Sequence, residues 1–164
     1  MHKSHLLRKG RVSIPHHYYS ITLVTHKRTP YFSFLTINRL VIKQLIDRCE
    51  KLSIDLIAFV IMPDHIHLLI QLSTTTTLSD FIRSFKGTLT SILRPLINNQ
   101  RLWQRDYYDH MIRNETELLH NARYIVANPL RAKLVQKIGQ YPYCCANTYK
   151  KRHRRTFTAR LNPQ

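Results

Sequence analysis

Residues 54–72 read IDLIAFVIMPDHIHLLIQL, and this stretch decides the fold. Two apolar runs, Ile54 to Met62 and Ile66 to Leu72, are separated by Pro63 and Asp64. Proline presets one backbone angle of a turn and aspartate bonds back onto its own backbone, so the pair reads as a tight connection. A parallel crossover needs a dozen or more residues, so strands joined this closely pair antiparallel, as a hairpin. Downstream, Thr74 to Thr77 form a polar loop, and Leu78, Phe81, Ile82, Phe85, Leu89, Ile92 and Leu93 then recur at helical spacing and stop before Pro95. Upstream, Ile37, Leu40, Val41, Leu45, Ile46, Cys49 and Leu52 make a second such stripe and predict a helix over 35–52. Before it, YYSITLVTH at 18–26 is aromatic and β-branched and reads as a first strand.

A fourth strand is expected within WQRDYYDHMI at 103–112. The last helix opens at Asn114, which forms a capping-box pattern with Glu117, and Leu118, Leu119, Ala122, Ile125 and Val126 supply its buried face. Pro129 predicts an end at or just before Asn128. The order β, α, β, β, α, β, α is that of an α+β, ferredoxin-like (RRM-like) fold, an antiparallel sheet with helices packed on one face. The chain divides into a basic N-terminal arm over 1–17, one domain over 18–143, and a basic C-terminal tail over 144–164 that carries Lys150-Lys151-Arg152-His153-Arg154-Arg155.

Composition narrows the function. The 164 residues suffice for one domain with a hydrophobic core. Twenty-six Lys and Arg against 9 Asp and Glu give a net charge of +17, a field that attracts polyanions, while 43% hydrophobic residues keep the chain foldable. Nucleic acid is therefore the expected partner. The sequence has no apolar run of about 18 residues to span a bilayer, and its N-terminus lacks an apolar signal-peptide core. No membrane partner is expected, and the chain reads as cytoplasmic, associated with the nucleoid through DNA. Cys49, Cys144 and Cys145 make an odd set with two neighbours, a poor basis for disulfides or a four-ligand zinc site. Three glycines cannot build a phosphate-cradling loop, so no nucleotide cofactor is expected.

Two local patterns carry chemistry. His65 and His67 lie two apart on a strand and so project from one face, where two imidazoles can converge on a metal ion. A half-exposed sheet face would also carry such a pair. Tyr124 and Asn128 lie four apart on the last helix and share a face, setting a potential nucleophile beside a potential metal ligand at the negative end of the helix dipole. Asn before Pro is equally an ordinary helix stop, and Tyr124 an ordinary surface residue. Arg83, Lys86, Arg94, Arg101, Arg105, Arg123, Arg131 and Lys133 are candidates for phosphate contacts, which position DNA without reading its sequence. Tyr107 and Tyr108 read as sheet packing with scope for base stacking.

The motifs IMPDHIHLL, WQRDYYDHMIR and RYIVANPLRAKLV, in this order between about Tyr18 and Tyr143, resemble those of the single-tyrosine HUH transposases, most closely the REP-associated tyrosine transposases. The resemblance implies that His65, His67 and Asn128 bind a divalent metal, Mg2+ or Mn2+, and that Tyr124 attacks DNA to leave a covalent 5′-phosphotyrosine and a free 3′-OH. It implies single-stranded DNA with hairpin or repeat structure as substrate, and a monomer or homodimer. Asp109 and Arg113 also match family positions, though a structural ion pair is the plainer reading of them. A non-catalytic basic nucleic-acid-binding protein with a ferredoxin-like sheet is the competing interpretation of the whole chain, and a phosphoesterase using a metal-bound water is a third.

Overall fold

The structure, a computed structural model, describes residues 13–146. In chain order these form β1 (Tyr18–Val24), α1 (Leu35–Lys51), β2 (Asp55–Met62), β3 (His65–Gln71), α2 (Leu78–Leu93), β4 (Tyr108–Met111), α3 (Glu115–Arg131) and β5 (Cys144–Ala146). The sheet is antiparallel with order β4-β1-β3-β2-β5. Its first four positions are the ferredoxin-like arrangement, in which two strand–helix–strand units interleave. The hairpin is as tight as the sequence predicts: Met62 pairs with His65 across the two-residue turn.

Alternation along the strands builds a core on each side of the sheet. Ile21, Leu23, Phe59, Ile61, Ile66, Leu68 and Ile70 pack against Val41 and Leu45 of α1 and Phe81, Phe85 and Leu89 of α2. On the other face Ala58, Val60, Met62 and Leu69 pack against Leu118 and Ile125 of α3. A register shift between Leu56 and Ala58 lets β2 keep this phase. The expectation of a single helical layer is thus corrected. A stripe of apolar residues shows that a helix is amphipathic but not which side of a sheet it covers, and here β2 is apolar on both.

Four boundaries also differ. β1 ends at Val24 rather than residue 26, because Thr25 leaves the ladder for an isolated bridge to Trp103 and His26–Arg28 form a 3-10 turn. β4 spans four residues, not ten, since Trp103 turns into the large core. α3 runs through Pro129 to Arg131. Proline forfeits one hydrogen bond there, but Lys133 N–H to Leu130 O (3.0 Å) and Leu134 N–H to Pro129 O (2.9 Å), with Lys133 at φ 57°, close the helix in a Schellman arrangement two residues later. Lastly, Cys144–Ala146, placed in the tail by composition, add β5 to the β2 edge, where Ile61 N–H donates to Tyr143 O (2.9 Å) and Tyr141 Oη donates to Ile61 O (2.8 Å). Of the N-terminal arm, residues 1–12 lie outside the described part, while Ser13 Oγ accepts from Leu78 N–H (3.0 Å) and His16 N–H donates to Leu72 O (2.7 Å). The basic block at 150–155 also lies outside it.

A chain ended after Tyr143 loses the β2–β5 ladder that a chain ended after Ala146 keeps. At about 1 kcal/mol for each net hydrogen bond, the shorter chain should be less stable by on the order of 1–3 kcal/mol in urea unfolding. Equal midpoints would show that β5 contributes nothing.

Candidate active site

The hairpin turn is clamped before it carries any chemistry. Thr25 N–H donates to Asp64 O (2.9 Å), the Thr25 hydroxyl lies 2.8 Å from the same oxygen, and Phe32 N–H donates to Pro63 O (2.9 Å). Both carbonyls of the turn are therefore satisfied by the segment that follows β1. His65 and His67 then leave β3 on the α3 face, beside Leu69 and opposite Ile66 and Leu68. Their rings meet edge to face with centroids 4.8 Å apart.

Each imidazole is tied at the same nitrogen. His65 Nδ1 lies 2.6 Å from Asp64 Oδ1, and the other carboxylate oxygen of Asp64 accepts from Arg28 at 2.8 Å. His67 Nδ1 lies 2.9 Å from the Thr22 hydroxyl, its cross-strand neighbour on β1. With Nδ1 engaged, Nε2 is the ring nitrogen left to meet a metal ion or a phosphate, and a partner at the first nitrogen sets tautomer and ring orientation. Burial first, and then the neighbouring His65, lower the His67 pKa from 6.5 to about 4, so this ring is neutral at pH 7 and keeps a lone pair. Burial pushes the Asp64 carboxyl up, but the hydrogen bonds from His65 and Arg28 outweigh it and hold the group below its usual range.

α3 brings the remaining groups. The Tyr124 ring stands edge-on to His67 with centroids 5.9 Å apart, and the Arg131 guanidinium lies 4.8 Å from the centroid of the same phenol ring. Asn128 is one turn beyond Tyr124 on the same stripe, and its amide nitrogen is buried without a hydrogen-bond partner. A half-turn of the amide exchanges nitrogen for oxygen. A carboxamide end buried without a partner, one helical turn from the tyrosine that meets His67, therefore fits a cation bound by two imidazole nitrogens and one amide oxygen. Among the described residues, no group of three or more His, Cys, Asp and Glu could hold a metal, so a site at the two imidazoles would draw on a ligand of another type, such as the Asn128 amide oxygen.

The start of α3 sets the height of this stripe. Asn114 Oδ1 accepts from Glu117 N–H (2.9 Å), and the Glu117 carboxylate accepts from Arg113 N–H (2.8 Å), one residue earlier than in a standard capping box, while its other oxygen meets His110.

The basic candidates scatter. Arg131 joins the site, and Arg123 and Lys133 lie exposed on the same helix and its closing turn. Arg83 and Lys86 sit on α2, across the sheet: Arg83 pairs with Asp80 at 3.0 Å, and Lys86 donates to Gln104 O (2.9 Å) and lies 5.7 Å from the Trp103 ring. Arg101 Nε donates to Trp103 O (2.9 Å), while Arg94 and Arg105 are exposed in the α2–β4 connection. Thr22, Asp64 and Arg28 were not legible as site residues. Asp64 had a signal in its position directly before His65, but nothing in the sequence ties Arg28 or Thr22 to the imidazoles.

The antiparallel ferredoxin-like sheet thus carries a histidine pair on a central strand with a tyrosine of a later helix against it, and comparison with known proteins supplies the class. The chain belongs to the IS200-like transposases, whose family model matches residues 13–128. Within that class it is similar to REP-associated tyrosine transposases. A Haemophilus influenzae protein provisionally named as one is 30% identical over 138 residues, 76% of this chain and 77% of that protein. The REP-associated tyrosine transposase of Escherichia coli K12 is 25% identical over 89 residues, 52% of this chain and 50% of that protein. The fold matches the structure of a REP-associated tyrosine transposase bound to a REP hairpin with a TM-score of 0.70 at 20% identity, over 82% of this chain and 79% of that one.

The depressed pKa of His67 gives a pH prediction for the metal-free protein. As pH falls through 6.5 the unfolded chain takes up a proton that the folded chain refuses until about pH 4. Stability is therefore full above pH 6.5, declines between 6.5 and 4, and levels off below; the loss from this group is at most on the order of 3 kcal/mol. An NMR titration should place the His67 midpoint near 4. A midpoint at the ordinary histidine value would contradict the packing described.

Proposed function

We propose that the protein is an endonuclease and strand transferase for single-stranded DNA with hairpin or repeat structure, in which Tyr124 is the nucleophile. The observation that carries this reading is the edge contact of the Tyr124 ring with His67, two residues more than fifty positions apart in the chain. Membership of a transposase family makes DNA the substrate to expect, and the REP hairpin bound by the structural relative supports a folded single strand.

Tyr124 Oη attacks a backbone phosphorus, the P–O3′ bond breaks, and the departing oxygen takes a proton to become a 3′-OH. The phenol proton leaves to solvent or to a base carried by the substrate complex. The 5′-phosphate stays on Tyr124 as a diester, and a second DNA 3′-OH can displace the phenol in the reverse reaction, so joining requires no nucleotide hydrolysis. A divalent cation, Mg2+ or Mn2+, bound by His65, His67 and Asn128 would supply charge to polarise a non-bridging phosphate oxygen. The chain's own contributions are orientation and charge. Asp64 and Thr22 fix the imidazoles, the neutral His67 keeps its lone pair at pH 7, and Arg131 holds the phenol ring while adding positive charge where the phosphate oxygens must lie.

Incubation with a hairpin-bearing single strand and Mn2+ should leave DNA attached to denatured protein. The adduct should vanish in Tyr124→Phe and in His65→Ala, while DNA binding by the Phe variant persists. Cleavage at the normal rate by Tyr124→Phe removes Tyr124 from the mechanism, and product without a protein-linked species favours a hydrolytic route. Independently of turnover, Asp64→Ala should weaken Mn2+ binding by about tenfold or more in calorimetry, the usual scale for losing a partner of a ligating histidine; unchanged affinity would remove Asp64 from that role.

A further inference from the structure

The tyrosines of the β4 segment part company. Tyr107 packs toward the large core and its hydroxyl lies 3.3 Å from Ser79 of α2. Tyr108, the next residue, is 61% exposed. Strand alternation sends it to the opposite face, and the register states where: Tyr108 pairs with Thr22, and Thr22 pairs with His67. Tyr108, Thr22 and His67 therefore form one row across three neighbouring strands on the α3 face, and the Thr22 hydroxyl already bonds His67. At a strand spacing of ~4.8 Å, Tyr108 stands roughly 10 Å from His67.

This part of the face is open. α3 packs on β2, β3 and β5, and its first turns cover the far end of β4, where Glu117 meets His110, and Ile112 just beyond it. At the other end of β4, beside the imidazoles, Tyr108 lies in the open. Arg105 is exposed three residues before it, and Arg28, on the far side of the pair, is already paired with Asp64. An exposed aromatic ring on a sheet face of a chain with net charge +17, in line with a phosphate-directed site, has the makings of a stacking platform for an unpaired nucleobase.

We propose that Tyr108 stacks an unpaired base of the DNA strand, so that the open β1–β4 half of the α3 face is the track along which a single strand runs to His65, His67 and Tyr124. The inference rests on the active-site reading above for its direction. It goes beyond that reading in naming a binding residue, the half of the sheet and the ligand, a flipped or unpaired base rather than a duplex. Stacking is tolerant of sequence because every base has a flat π-face, so Tyr108 contributes grip and not base choice.

The test measures binding by fluorescence anisotropy with a labelled oligothymidine and, separately, a labelled blunt duplex, using the full chain with Tyr124→Phe so that nothing is cleaved. Tyr108→Ala should weaken the single strand about tenfold, Tyr108→Phe should restore it, and the duplex should respond to neither. Tyr108 is exposed, so each variant should keep the parent circular dichroism and melting temperature. Single-strand affinity unchanged in Tyr108→Ala, an equal loss on the duplex, or no single-strand binding at all would each overturn the proposal. Failure of the chemistry reads differently: no covalent adduct from the unsubstituted chain, with the Tyr108 dependence intact, leaves the stacking site standing. An adduct without Tyr108 dependence leaves the chemistry standing.

Discussion

The register of β2 against β3 is the constraint on which the site depends. A two-residue turn leaves the hairpin no slack, and side chains on a strand alternate, so a slip of one residue would exchange the two faces of β3 completely. His65 and His67 would enter the core beneath α1 and α2, while Ile66 and Leu68 would point at α3. Each aliphatic side chain contributes roughly 1.5–3 kcal/mol by burial, and an imidazole in the core would lack the Thr22 and Asp64 partners that satisfy it now. The apolar packing of Ile66, Leu68 and Ile70 therefore fixes where the histidines point. The turn is held a second time from outside, because Thr25 and Phe32 bind its carbonyls.

Once placed, the two imidazoles are not equivalent. His65 ends a chain that runs Arg28, Asp64, His65, in which a cation and a carboxylate cancel and the carboxylate faces a ring nitrogen. His67 hydrogen-bonds a neutral hydroxyl, and its neutral form is enforced by burial first and by His65 beside it second. The difference follows from position. His65 begins β3 next to the exposed turn, within reach of the loop after β1, whereas His67 lies a full repeat deeper in the sheet, where its lateral neighbours are Thr22 and Val60. A pair identical in residue type thus presents one ring bonded to a surface ion pair and one bonded to a neutral hydroxyl.

What the sequence revealed follows the same physics. The hairpin, the two apolar helical stripes and the Asn114 start of α3 were readable because each is a local pattern whose cause lies within a few residues. The pairing of His65 with His67, and of Tyr124 with Asn128, was readable for the same reason, and the family resemblance joined the two halves. Long-range choices were not readable. That α3 covers the opposite face, that Arg28 returns to Asp64, and that Thr22 is the partner of His67 depend on strand order and register across the sheet. β5 was hidden for a different reason: three residues between Tyr-Pro-Tyr and a basic block carry too little pattern of their own, and they become a strand only because β2 offers an unpaired edge.

Pro129 shows how a local rule and a site can conflict. Read by itself, proline ends the helix at Asn128 and leaves the following residues free to diverge. The observed helix continues because the missing N–H leaves only one carbonyl unpaired, near the helix end, while Pro129 is itself buried and the Schellman closure at Lys133 satisfies the carbonyls beyond it. The consequence reaches the phenol. Tyr124, Asn128 and Arg131 fall on one stripe, at successive turns of a helix with 3.6 residues per turn, only if the backbone stays helical past the proline. An end at residue 128 would let Arg131 swing away, and the cation over the Tyr124 ring would be lost. The last turn of α3, weak by composition, is thus the element that holds Arg131 against the Tyr124 ring.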